Sequence, residues 1–208
     1  MNGAHETGAR GPVSIAESKR HLRLYAKKRL SALPRESFVR QGEEAALILV
    51  GQRIWQEFSR VLIYLSMPDE LETSPLLKLA FKAGKDVYSP KVESDTSMRF
   101  FRVNEDESCW VRGPYDIREP RGREEDLFRP EDGPALVISP GLAFDIEGRR
   151  LGRGKGYYDR FFEKLFSQSP ESKICAFCMN ECLVAFVPAE PLDRKVDFLC
   201  TAESFFVV

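Results

Sequence analysis

The sequence predicts a three-layer α/β fold, a largely parallel β-sheet flanked by helices. Three observations carry this. Short runs rich in β-branched residues, such as Val61-Leu-Ile-Tyr-Leu-Ser66, have the length and composition of buried strands. Segments of helical period alternate with them, the arrangement of βαβ units. The helical segments also carry their own punctuation: Ser74-Pro75 opens one, with proline at the start, and Gly84 closes it.

In chain order, residues 1–13, rich in glycine and polar side chains, are expected to form a mobile tail, and 14–208 a single domain. Helices are expected over 14–31, 34–56, 74–83 and 156–167. Strands are expected over 61–66, 86–89, 98–103, 135–139, 173–178 and 198–201, with 205–208 as an edge strand. Residues 113–133, dense in charge, glycine and proline, read as a long loop crossing the surface over the site.

Composition limits the function. The 208 residues are 43% hydrophobic and 30% charged, with a net charge of −1, as in an ordinary globular enzyme. A general nucleic-acid or membrane-surface role would call for a large basic excess. No apolar run approaches the roughly 18 residues of a membrane span, and the first ten residues lack the apolar centre of a signal peptide. A cytoplasmic location is expected. Five cysteines, an odd number, suit a reducing compartment. Cys175-x-x-Cys178-x-x-x-Cys182 does not read as a zinc site. Four ligands are needed, His5 and His21 are distant, and a strand would point Cys175 and Cys178 to opposite faces. These cysteines are expected to be small buried side chains.

The chemistry concentrates in Ser139-Pro-Gly-Leu-Ala-Phe-Asp-Ile-Glu-Gly-Arg-Arg-Leu-Gly-Arg-Gly-Lys-Gly-Tyr-Tyr-Asp159. Gly152, Gly154 and Gly156 alternate with Arg153 and Lys155, after an apolar run and before an aromatic helix. Glycines let backbone N–H groups turn toward an anion, and the following helix N-terminus adds partial positive charge. A polyphosphate, most simply ATP, suits this construction. The spacing fits neither the P-loop nor the dinucleotide fingerprint.

Helical geometry adds two cations. Ile15, Leu22, Ala26, Leu30 and Leu33 form one apolar stripe of the first helix. Lys19 falls about 20° from the middle of that stripe and Arg23 about 60° from it, while Arg20 lies well outside. Two cations aimed at the protein body are placed to meet an anion there. In the later helix Tyr158, Phe161, Phe162 and Leu165 share a core face, Tyr157 sits at its margin and Asp159 lies on the other side. An acid in the first turn suits the helix dipole. Beside a triphosphate it would be repelled unless a magnesium ion stood between them.

The motif resembles the 5-formyltetrahydrofolate cyclo-ligase family, also called methenyltetrahydrofolate synthetase. Pro140–Asp145, Gly148 and Arg150–Asp159 look like its central signature. Lys19-Arg-His-Leu-Arg23, Leu65-Ser-Met-Pro-Asp-Glu70 and Asp193-Arg-Lys-Val-Asp197 follow the family order. The resemblance implies a Rossmann-like sheet of the NagB/RpiA/CoA-transferase type. It implies ATP contacts from Lys19, Arg20, Arg23, Arg150, Leu151, Gly152, Arg153, Gly154, Lys155, Gly156, Tyr157 and Tyr158, with Arg153 and Lys155 catalytic. It also implies substrate contacts from Leu65, Met67, Glu70 and Tyr158, and magnesium at Asp159 and Asp193. The substrates would be 5-formyltetrahydrofolate and ATP, handled by a monomer without nucleic acid or membrane.

Two alternatives stay open at this point. One is an enzyme on a similar sheet acting on a sugar phosphate or a coenzyme A thioester. The other is an RNA-binding module gripping through 19–29 and 149–155, which the near-zero net charge disfavours.

Overall fold

The computed structural model describes residues 14–113, 118–191 and 193–208, so the expected tail over 1–13 lies outside the described residues. Helix α1, Ile15–Ser31, begins at Ser14, whose side chain accepts the Glu17 N–H at 3.2 Å in a Ser-x-x-Glu capping arrangement. Its buried residues are Lys19, Ala26 and Leu30. Ile15, expected in the apolar stripe, is exposed instead, because the body ends beneath the first turn of the helix.

The helix expected over 34–56 is two helices, α2 at Arg35–Val50 and α3 at Arg53–Glu57. Gly51 caps α2 and Gln52 turns extended, with its side chain bonding Ile48 O at 3.0 Å. The bend buries Ile54 and Trp55, which a straight continuation would not.

A seven-stranded sheet forms the centre. In chain order its strands are β1 (Arg60–Ile63), β2 (Asp86–Val92), β3 (Met98–Val103), β6 (Leu136–Ser139), β9 (Lys173–Phe177), β10 (Phe198–Cys200) and β11 (Phe205–Val207). Their spatial order is β11-β10-β9-β6-β1-β2-β3. The four central pairings are parallel, and the edge pairings β2–β3 and β10–β11 are antiparallel. Every residue of β1 and β6 is buried, as expected for parallel strands covered on both faces. The expected strand 61–66 stops at Ile63, where Tyr64 leaves the ladder and takes its hydroxyl to within 3.0 Å of both Leu71 O and Phe177 O.

From β1 the chain crosses through α4 (Ser74–Lys82) to β2, and from β6 through α5 (Tyr157–Gln168) to β9 on the other side. Right-handed crossovers in opposite directions place α4 and α5 on opposite faces of the sheet. Strand order therefore reverses between β1 and β6, and a crevice opens beyond their carboxyl ends. Cys175, Cys178, Cys182 and Cys200 are buried free thiols, as expected of small core residues.

The expected loop 113–133 is a correction. Arg118–Pro120 forms strand β5, paired antiparallel with β4 at Trp110–Arg112, and 3-10 turns follow at Glu124–Asp126 and Pro130–Asp132. The Arg118 guanidinium stacks 4.2 Å from the Trp110 ring, which gives the segment a packed surface to fold on. A second hairpin lies inside the glycine-rich motif, where β7 (Ala143–Phe144) pairs with β8 (Arg150–Leu151) across a turn at Gly148, φ 77°.

Candidate active site

Asp145 builds the hairpin that carries the site. Its fully buried carboxylate accepts the N–H groups of Glu147 (3.1 Å), Arg149 (3.1 Å) and Val187 (2.8 Å), and Arg149 Nε at 2.6 Å. This closes the turn and ties it to the segment after β9. The glycine loop then runs from Gly152 to Gly156. Gly154 (φ 101°) and Gly156 (φ 69°) both occupy the left-handed region, where a side chain would strain the backbone. Gly156 caps α5, so the loop ends at a helix N-terminus.

Helix α1 meets this loop from the side. Arg23 Nε donates to Gly152 O at 2.9 Å, and its guanidinium covers Gly154, where an added Cβ would stand 3.5 Å away. Lys19 is buried, as its helical position predicts, and donates to Glu190 Oε2 at 2.8 Å and Asp193 Oδ2 at 2.5 Å. Burial alone would lower its pKa. The hydrogen bonds and charges of Asp193 and Glu190 outweigh that and hold it above the ordinary lysine value. Arg20 is exposed and among the described residues bonds to His21 alone, at 3.3 Å, so α1 directs it away from Lys19 and Arg23.

Within the motif the side chains diverge. Arg150 is buried, donates to Asp159 Oδ1 at 2.5 Å, and lies over the rings of Tyr158 and Phe162 at 5.6 and 5.5 Å. Leu151 is buried with Ala143 and Val187, so only its backbone faces the loop. Lys155 is 67% exposed, and the nearest carboxylate, Asp95 Oδ1, is 3.8 Å away. Tyr157 Oη donates to Ser94 O at 3.0 Å, fastening the loop to the β2–β3 turn. Tyr158 packs edge-on to Phe100, and its buried hydroxyl has no partner among the described residues. Burial first, then the charge of Glu70, pushes that phenol well above its ordinary range.

Arg153 spans the crevice. Its Nε donates to Glu70 Oε1 at 2.9 Å, and its two terminal nitrogens grip Asp69 at 3.0 and 2.6 Å. The other Glu70 oxygen accepts the Met67 N–H at 3.0 Å, so the carboxylate is engaged on both oxygens and only 11% exposed. Burial raises its pKa, and the Arg153 charge partly offsets this.

Leu65 lines a larger cleft of about 600 Å³ on the far side of this loop, together with Leu77, Phe81, Trp110, Lys78 and Arg118. The space directly beside Glu70 is about 10 Å³, bounded by Tyr64, Asp69, Gly141 and Cys182.

Sequence reasoning missed Asp69, Glu190 and the Trp110–Arg118 wall. Asp69 stood in a quoted motif and Glu190 three residues before Asp193, but nothing local pairs either with its cation. Among the described residues no group of three or more His, Cys, Asp or Glu is placed to hold a metal ion, and no helix is long and apolar enough to cross a membrane.

The chain has relatives among known proteins. The profile of the 5-formyltetrahydrofolate cyclo-ligase family matches residues 15–202. The chain is 33% identical over 192 residues to a mouse 5-formyltetrahydrofolate cyclo-ligase, covering 89% of this chain and 94% of the mouse one. It is 32% identical over 176 residues to an Escherichia coli K12 protein of the same name, covering 84% and 95%. The solved Aquifex aeolicus 5,10-methenyltetrahydrofolate synthetase superposes with a TM-score of 0.75 at 28% identity, covering 91% of this chain and 92% of that one.

Proposed function

The chain belongs to the 5-formyltetrahydrofolate cyclo-ligase family, and from that premise we propose which of its groups bind each substrate. The reaction is the ATP-dependent cyclisation of 5-formyltetrahydrofolate to 5,10-methenyltetrahydrofolate, with release of ADP and phosphate, in one-carbon metabolism. The observation that carries the assignment is Arg153. It belongs to the glycine loop yet rests on the Asp69-Glu70 pair beyond β1, so an anion loop and an acidic loop meet at the strand-order reversal.

The formyl oxygen is a poor leaving group. It attacks the γ-phosphorus of ATP, ADP departs, and the oxygen becomes part of a phosphate. N10 then attacks the activated carbon, loses its proton, and closes the ring as phosphate leaves. Positioning and charge neutralisation carry such a reaction. Lys155, exposed and lightly partnered, and Arg153 supply charge to the transferring phosphoryl group. Lys19, Arg23 and the loop N–H groups hold the rest of the triphosphate, with Arg20 at the outer edge. Arg150 acts behind them, keeping Asp159 and Tyr158 in place.

Glu70 accepts the amino and ring N–H donors of the pterin, with Met67 beside it, the buried, unpartnered Tyr158 hydroxyl as a further polar group, and Leu65 in the adjoining cleft. The 600 Å³ cleft, with an indole and the three cations Arg35, Lys78 and Arg118, suits the p-aminobenzoylglutamate half.

Asp159 and Asp193 fit a magnesium ion. Each keeps one carboxylate oxygen outside any hydrogen bond among the described residues, and Mg²⁺ commonly takes one or two carboxylates along with phosphate oxygens. When bound, the ion would neutralise triphosphate charge. A monomer in the cytoplasm, without nucleic acid or membrane, completes the reading. Mixing the protein with 5-formyltetrahydrofolate and Mg-ATP tests it: growth of methenyl-folate absorbance with one ADP per turnover is expected, and ATP turnover indifferent to folate would refute it.

A further inference from the structure

The residue that would hold the pterin and a residue that would stabilise phosphoryl transfer are bonded to each other. Arg153 makes three hydrogen bonds among the described residues, one to Glu70 and two to Asp69, and they engage all three of its guanidinium nitrogens. Glu70 in turn has no free oxygen, since Met67 N–H takes the second. Three of the five guanidinium N–H donors and an acceptor site on each Glu70 oxygen are thus already committed, so a substrate meets both groups partly neutralised by each other.

The room beside Glu70 makes the same point by volume. About 10 Å³ is roughly enough for one water molecule, and a bicyclic pterin cannot enter. Admitting it requires the loop at 65–70 to shift, and among the described residues Arg153 ties that loop to the glycine loop, while Arg35 holds Pro68 O from the other side at 3.1 Å. The two terminal nitrogens on Asp69 form the bidentate arrangement that holds a guanidinium most firmly.

We propose that Asp69 is a positioning residue that couples the two substrates: it holds Arg153 over the folate loop until the pterin takes Glu70, and the released guanidinium then turns to the triphosphate. This rests on the assignment of Glu70 to folate and of the glycine loop to ATP. A ligand shifts an equilibrium only by its differential affinity for the two states, and here the difference is explicit. With the latch closed, ATP meets a cation already held by two carboxylates, and folate meets a carboxylate already paired with a cation. Whichever substrate opens it spares the other that step, so each tightens the other by the same factor. Asp69 acts through Arg153 in this account. It sets how much is gained when both are present.

Calorimetry with a non-hydrolysable ATP analogue and 5-formyltetrahydrofolate, each titrated with and without the other in the presence of magnesium, measures that factor directly. In the wild-type protein each ligand should tighten the other about tenfold, within the usual range for coupled sites. In Asp69→Ala the analogue should bind more tightly on its own, and the mutual effect should shrink to within twofold. Asp69→Asn, which keeps the volume but loses the charge, should fall between and guards against a folding defect in the alanine variant. A residue of merely structural importance would weaken both ligands and leave the coupling factor alone. Independent binding in the wild type, or an unchanged factor in both variants, overturns the coupling while the substrate assignment stands. Failure of both ligands to bind the wild-type protein overturns both.

Discussion

The Nε–H of Arg23 donates to the carbonyl oxygen of Gly152 at 2.9 Å, joining helix α1 to the glycine loop across 129 residues of sequence. This bond engages one carbonyl of the loop and leaves the rest of the Arg23 guanidinium beside Gly154.

Lys155→Ala should lower kcat by a hundredfold or more, about 3 kcal/mol of transition-state stabilisation, while folate affinity stays within twofold. Lys155 is the motif cation least committed to other groups, so little else changes when it is removed. Steady-state kinetics paired with folate titration checks this, and near wild-type turnover would take Lys155 out of the mechanism.

Turnover should require a divalent ion, and Asp159→Asn or Asp193→Asn should raise the magnesium concentration giving half-maximal rate. Each change also leaves a cation, Arg150 or Lys19, with one charged partner fewer. Equal rates with magnesium and with excess chelator would remove the metal from the account.

Glu70→Gln should weaken 5-formyltetrahydrofolate by roughly tenfold to a hundredfold, about 1–3 kcal/mol, because an amide sets one donor against a pterin donor. ATP should bind about as before, since Asp69 still holds Arg153 by its two terminal nitrogens. The raised pKa of Glu70 adds a pH signature. Its neutral form is favoured in the folded state, so the folded protein binds more proton than the unfolded chain from the ordinary glutamate value up to the raised one. This contribution to stability falls as pH rises through that window, and folate binding, which needs the ionised form, rises through it. The acid limb of kcat/KM should lie above the ordinary glutamate range and vanish in Glu70→Gln.

Asp145→Asn should destabilise the fold by about 3 kcal/mol or more, lowering Tm by roughly 6 °C or more. The side chain accepts four N–H donors while fully buried, and an amide would present N–H groups to some of them. Calorimetric melting checks this, and a Tm within 1–2 °C of wild type would mean the turn holds without that charge.

The sequence revealed what depends on local period and composition. Lys19 is buried because 100° spacing places it in the apolar stripe, and the parallel centre of the sheet follows from β-branched runs separated by helices. The break at Gly51–Gln52 carried no proline or charge signal, and it exists because burying Ile54 and Trp55 outweighs continuing the helix. Strands β4 and β5 have three residues each, too few to show alternation, and they pair within a charge-rich stretch. The site was legible as a list of cations but not as pairs. Arg153 meets Glu70 from 83 positions away, and Lys19 meets Asp193 from 174. Such pairings are set by the sheet order, which no local window contains.

The amino-terminal half of α1 has little oil beneath it. Ile15 is exposed, Leu22 rests partly buried on a three-residue cluster, and the buried apolar residues Ala26 and Leu30 belong to the second half. Lys19 and Arg23 are what fasten the first turns, through groups that would bind phosphate. Segments held by few apolar contacts open at low free energy and exchange their amide hydrogens quickly. The backbone of these turns is consequently a built-in reporter of occupancy, with deuterium uptake set by whether an anion sits beneath them and largely indifferent to the state of the core.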